Sequence, residues 1–233
     1  MSGATTVLER VAGHSGELVL RRGPDGLEIV ANGVFLVSAA NAASSRALVS
    51  AAWPHVAGGR LRVLIGGLGI GDALDEAVRC ERVAEVVVVE IEPAIVGWFR
   101  RYGGAKAGRV AAGERARRAR IVTADVADLL TVPGEAWDVI ALDTDNGPEW
   151  LVREENAGLY SLDGMIGVRE ALRPGGVAVF WSPARYPRFE ADLATAFAAV
   201  GTTSADDVVA GRRHEYTMYV AHRGPTDAPP RPR

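Results

Sequence analysis

The sequence predicts a doubly wound, mostly parallel α/β sheet with a small N-terminal β region, and three observations carry that expectation. From residue 61 onward, apolar runs rich in β-branched residues recur: "LRVLIGG", "AEVVVVEIE", "ARIVTAD", "AWDVIALD" and "GGVAVFWS". They are continuous rather than alternating, which suits strands covered on both faces. Helical stretches separate several of them, the order expected of βαβ units. A glycine cluster, "VLIGGLGIGD" at residues 63–72, begins within the first run, where a strand should turn into a helix.

Ahead of that region, "ELVLRR" alternates, "GPDG" signals a turn, and "LEIVANGVFLVS" holds two short β-type runs broken by Asn32-Gly33. "AASSRALVSAAW" reads as a helix, with Ser44 or Ser45 near its start and Pro54 just past its end. Near the end of the chain, "VVAGRRHEYTMYVAHR" reads as a closing hairpin, and the Pro- and charge-rich "GPTDAPPRPR" as a disordered tail. The expected organisation is therefore a β-hairpin region and helix over 1–50, an α/β domain over 51–223 and a tail over 224–233.

Composition narrows the function classes. A chain of 233 residues, 48% of them hydrophobic, can bury one sizeable core. No apolar stretch approaches the roughly 20 residues needed to span a bilayer, and the N-terminal stretch has no signal-peptide pattern. The lone Cys80 excludes an internal disulfide framework and fits a reducing, cytoplasmic setting. Lys106 is the only lysine among many arginines, but a formal net charge of -3 argues against nucleic acid as partner. "GERARRAR" at 113–120 then reads as a solvated face, and His214 and Glu215 have no companions at metal-ligand spacing, so no metal is expected. The expected partner is a small molecule, with no membrane and no nucleic acid.

In an open α/β sheet, ligands bind beyond the carboxyl ends of the strands. Gly66, Gly67, Gly69 and Gly71 stand at the first such end. Gly67, Gly69 and Gly71 form G-x-G-x-G, which departs from the dinucleotide G-x-G-x-x-G pattern and weighs against a pyrophosphate. The plainer alternative is that the glycines only permit tight strand-to-helix packing. Glu90 ends the second run about 20 residues on, where a carboxylate accepts ribose hydroxyls. Asp125 ends the third, placed to accept from an adenine amine, and Asp143 and Asp145 follow the fourth. For each acid alone, a helix N-cap or a solvated loop is the plainer reading. Four in register make a constellation.

These stretches, with "WDVIALDTDNGP" and "LYSLDGMIGVREALRPGGVAVFWS", resemble the spermidine synthase-like branch of the class I S-adenosylmethionine-dependent transferases over roughly residues 17–182. The resemblance implies a Rossmann-like methyltransferase sheet. It implies a glycine loop that cradles the methionine part of the cofactor, Glu90 on the ribose, Asp125 on the adenine and Asp143 at the attacking amine. It also implies a homodimer through the N-terminal β region. Three departures stand out. Gly69 replaces the family's loop aspartate, which holds the donor's amino group; Ser44-Ser45-Arg46 replaces a tyrosine-histidine-glutamate segment facing the polyamine, setting an arginine where a diamine's ammonium would sit and repelling it; and the second acid of "DTDNGP" follows the first by two positions rather than three.

The expected chemistry is attack by a nucleophile on a carbon attached to a sulfonium. The favoured reading is methyl transfer from S-adenosylmethionine to a small amine or hydroxyl, because loss of the loop acid suits a donor that keeps its carboxylate. Asp143 orients or deprotonates the acceptor, with Asp145 or Asn146 helping. Trp150 and Tyr160 flank a candidate lid over 148–160, with core or interface packing as the plainer reading of both, and Trp181 and Ser182 are placed to line the acceptor pocket. The alternatives are aminopropyl transfer from the decarboxylated donor to an amine, intramolecular chemistry on S-adenosylmethionine, and a noncatalytic nucleotide-binding protein. The products, S-adenosylhomocysteine or methylthioadenosine, distinguish them.

Overall fold

The computed structural model describes residues 4–14, 16–132, 134, 136–144, 156–209 and 211–224. Asp145, Asn146, Trp150, most of the 148–160 segment and the tail beyond 224 lie outside the described residues. Four strands, β1 (Thr6–Gly13), β2 (Gly16–Gly23), β3 (Gly26–Ala31) and β4 (Val34–Ser38), form an antiparallel meander. Asn32 and Gly33 both take positive φ, 48° and 79°, the geometry of a primed hairpin turn. The strand β1 was not anticipated: "TVLERVAG" has no uniform alternation, and one of its three large apolar residues, Val7, is 52% exposed.

A short helix, α1 (Ala42–Ser50), leads into the second sheet. Its strands are β5 (Leu61–Gly66), β6 (Val83–Glu90), β7 (Ala119–Thr123), β8 (Trp137–Leu142), β9 (Leu172–Ser182), β10 (Ala199–Val209) and β11 (Arg212–His222). Across the sheet they run β10-β11-β9-β8-β5-β6-β7, and β11 alone lies antiparallel to its neighbours. The "RPGG" segment ahead of the fifth run is a bulge inside β9, whose pairing jumps from Trp137↔Leu172 to Val139↔Val177.

The continuous apolar runs are explained by two cores. Val63, Ile65, Val86 and Val88 face α1, α2 (Asp72–Arg79), α3 (Pro93–Tyr102) and α4 (Gly104–Arg115). Leu64, Val87, Val89 and Ile140 face α5 (Val126–Leu130), α7 (Leu162–Ala171) and α8 (Pro187–Ala196), with the single-turn α6 (Ala157–Tyr160) beside them. Leu18, Leu20, Ile29 and Ala31 join the first core, so the N-terminal sheet docks on the α1–α4 side. Glu9 fastens it by accepting from Trp98 Nε1 at 2.9 Å and Tyr102 Oη at 2.7 Å and pairing with Arg101. The chain leaves β5 for β6 and β7 on one side and returns through β8 on the other, which opens a crevice at the tips of β5 and β8.

Candidate active site

The glycine loop is held by packing and borders an open cleft. Gly67 takes φ +94°, and a Cβ there would stand 2.2 Å from the Asp143 carbonyl oxygen; at Gly71, φ +86°, it would enter the Phe99 ring at 2.1 Å. These two glycines fulfil the tight-packing alternative. Gly69 differs: a Cβ there would meet only Val37, at 3.4 Å, an ordinary contact. Gly67 and Gly69 line a cleft roofed by Leu18, Ala31, Leu36 and Val37 of the N-terminal sheet.

Glu90 lies in this cleft, 6% exposed. Its Oε2 accepts from Leu68 N at 3.0 Å and its Oε1 from Glu92 N at 2.9 Å. Burial pushes its carboxyl above the ordinary glutamate range, against the pull of the Glu92 and Leu68 N–H groups; the Glu92 charge adds to the rise and the Gly69 N–H opposes it. Glu92, not singled out from the sequence, also lines the cleft and accepts from His14 N at 3.0 Å, which ties the β1–β2 turn to the crevice. Asp125 lines the cleft and caps α5 as well, accepting from Ala127 N at 3.0 Å. Its N-cap reading and its site reading therefore coexist.

Asp143 follows β8, its N–H bound to Gly66 O at 2.9 Å. It lines both the cleft and a second chamber; Leu36, Val37 and Ser45 are shared as well. Trp181 stands in the second chamber, its ring stacked on Tyr216 at 5.2 Å and 29°. Ser182 does not reach it: buried, it donates to Ala184 O at 2.7 Å. Tyr160 lines neither space, resting 3.4 Å from Thr144 Oγ1 and edge-on to Phe189. Asn156, buried beside it, lines the cleft and donates to Thr144 O at 3.0 Å.

Arg46 corrects another expectation. It lines neither space but turns to Asp72, 3.3 Å away, whose other oxygen takes Lys106 Nζ at 2.8 Å. Asp72 lines the loop end of the cleft with its charge matched by two cations. The serines before Arg46 do reach the chamber. Their helix is placed by Asp207 of β10, whose carboxylate accepts from Ala43 N and Ser44 N at 2.9 Å each. Asn41, at the start of that helix, donates to Tyr216 Oη at 2.7 Å. Burial pushes the Tyr216 hydroxyl up, partly offset by that bond. Neither Asn41 nor Tyr216 was singled out from the sequence; they lie 175 positions apart.

The strand order, with β11 reversed, together with a glycine loop and acids at the strand tips, defines the class I S-adenosylmethionine-dependent fold of the polyamine synthase type. The spermine/spermidine synthase domain matches residues 52–201, more than half of the chain, and the chain belongs to that family. Among solved structures it is similar to a spermidine synthase in complex with the transition-state analogue AdoDATO, at 17% identity and a TM-score of 0.77, over 94% of this chain and 74% of that one. It is likewise similar to spermidine synthase from Thermotoga maritima, at 16% identity and a TM-score of 0.72, over 94% of this chain and 73% of that one. Curated proteins gave no match. Among the described residues, no helix is long and apolar enough to cross a membrane.

Proposed function

We propose that this protein transfers a carbon group from an adenosyl sulfonium in the glycine-loop cleft to an amine in the second chamber. The observation that carries the reading is that the two spaces meet at Asp143, so one acidic residue borders both. Glu90 takes sugar hydroxyls, Asp125 the adenine amine, and the backbone of the glycine loop lies against the sulfonium's chains. Asp143 accepts a proton from the acceptor amine and frees its lone pair. The C–S bond then breaks as the C–N bond forms, and the electron pair leaves on sulfur as a neutral thioether. The cofactor carries its own activation, so the chain contributes alignment and exclusion of water.

Family membership favours aminopropyl transfer from the decarboxylated donor over the methyl transfer expected from the sequence. One observation speaks for the methyl reading: the loop end has Gly69 in place of an acid, and Asp72 there is matched by both Arg46 and Lys106. That end suits a donor tail that keeps its carboxylate. Incubation with each donor and a set of amines, followed by chromatography of the nucleosides, decides between them. Methylthioadenosine formed only with the decarboxylated donor supports aminopropyl transfer; S-adenosylhomocysteine supports methyl transfer. Asp143→Asn should lower either product by about 10²–10⁴-fold while nucleoside binding persists. Absence of both products would overturn the proposal.

A further inference from the structure

The second chamber carries information about the acceptor that the reaction class leaves open. Resting on the reading above, which puts the amine at Asp143, we infer that the acceptor bears that amine on a flat, apolar body rather than on a chain ending in a second ammonium. Away from Asp143 the walls include Val34, Phe35, Leu36 and Pro183, and the stacked rings of Trp181 and Tyr216. Asp143 is the sole carboxylate among the described lining residues. A second ammonium held against these walls would shed water for carbon contacts, a costly exchange. A planar ring gains instead, by lying on or against the Trp181–Tyr216 pair. Arg46, the cation expected here, points away to Asp72 and leaves these walls to the rings.

Besides Ser44 and Ser45, the chamber offers a polar pair. Asn41 lines it, 8% exposed, with Nδ2 on Tyr216 Oη and a buried Oδ1 that has no partner. Whichever way round the carboxamide is set, one of its polar atoms is paired with Tyr216 and the other is left over. Because Tyr216 Oη accepts from Asn41, its own proton is free to turn toward a ligand oxygen or nitrogen. A single hydroxyl or amide on the acceptor's ring would meet this pair.

Calorimetric titration of 2-phenylethylamine, its 4-hydroxy derivative, butylamine and 1,4-diaminobutane tests the inference, using the full chain with and without methylthioadenosine. The two aryl amines should bind about tenfold or more tightly than the diamine, the hydroxylated one best. In Trp181→Leu and Tyr216→Phe, checked for folding by circular dichroism, that preference should shrink while methylthioadenosine affinity holds within about twofold. A diamine that binds as well as or better than the aryl amines, held by its far ammonium on the rings, would overturn the inference. So would failure of every amine to bind. The wild-type ranking stands even if a variant does not fold. Failure of methylthioadenosine to bind would sink the donor reading alone, because the amines are also titrated on the free protein.

Discussion

Glu90→Gln isolates the contact on which the proposed nucleoside binding rests. The side chain keeps its shape, but one oxygen becomes an NH₂ group. In the native protein both oxygens are engaged, by Leu68 N at 3.0 Å and Glu92 N at 2.9 Å, with the Gly69 N–H acting on the group as well. A carboxylate offers about four lone-pair sites, so at least one remains for a sugar hydroxyl. The amide cannot serve three backbone donors and a sugar together, and one charge-assisted bond is lost. Such a bond contributes about 1.5–3 kcal/mol, so methylthioadenosine affinity should fall about 10- to 150-fold, measured by calorimetry near neutral pH. The pH dependence supplies a second readout. Burial places the folded-state carboxyl above its unfolded range, so its contribution to unliganded stability is complete below the ordinary glutamate range and is lost as pH rises through the folded value. Nucleoside binding uses the ionised form and runs the other way: affinity should drop as pH falls into that window, in the wild type and not in Glu90→Gln. A folded variant that keeps wild-type affinity and pH profile would refute the assignment.

Gly67→Ala should destabilise the protein by about 2–4 kcal/mol in urea unfolding, since its φ of +94° and the 2.2 Å approach to the Asp143 carbonyl leave a methyl group no room. Gly69→Asp is expected to fold, because aspartate tolerates the left-handed region and Val37 is 3.4 Å away. It should shift the donor preference toward the decarboxylated form by about tenfold in calorimetry with both donors, and an equal change for the two would count against the placement of the donor's tail. Asp207→Ala removes the cap on Ala43 N and Ser44 N and should cost about 1–2 kcal/mol in chemical unfolding.

The gathering of acids about the glycine loop was legible because strand tips are forced together by topology. Once "VVVVEIEP" and "WDVIALD" are strands of one parallel sheet, Glu90 and Asp143 must stand near the glycine loop. The chamber was not legible in that way. Asn41, Ser45 and Tyr216 come from a 3₁₀ turn, a helix and the last strand, and no local periodicity announces that they meet. Arg46 was assigned to the right helix but the wrong neighbour, since its direction depends on Asp72, 26 positions on. Tyr160 and Ser182 were misplaced for a related reason. Ser182 ends β9 and Tyr160 follows the loop after β8, but Tyr160 meets Thr144 and Phe189, and Ser182 meets the Ala184 carbonyl, before either can reach the chamber.

The Asp207 cap has a consequence for how the protein comes into being. Helix α1 emerges from the ribosome early, yet the carboxylate that satisfies its first N–H groups, and the tyrosine that holds Asn41, arrive more than 150 residues later. A nascent chain can assemble the nucleoside-facing strands β5 to β8 well before that, while the acceptor side still lacks its wall. The second chamber is thus completed last, when the final hairpin closes onto a helix made near the start of synthesis.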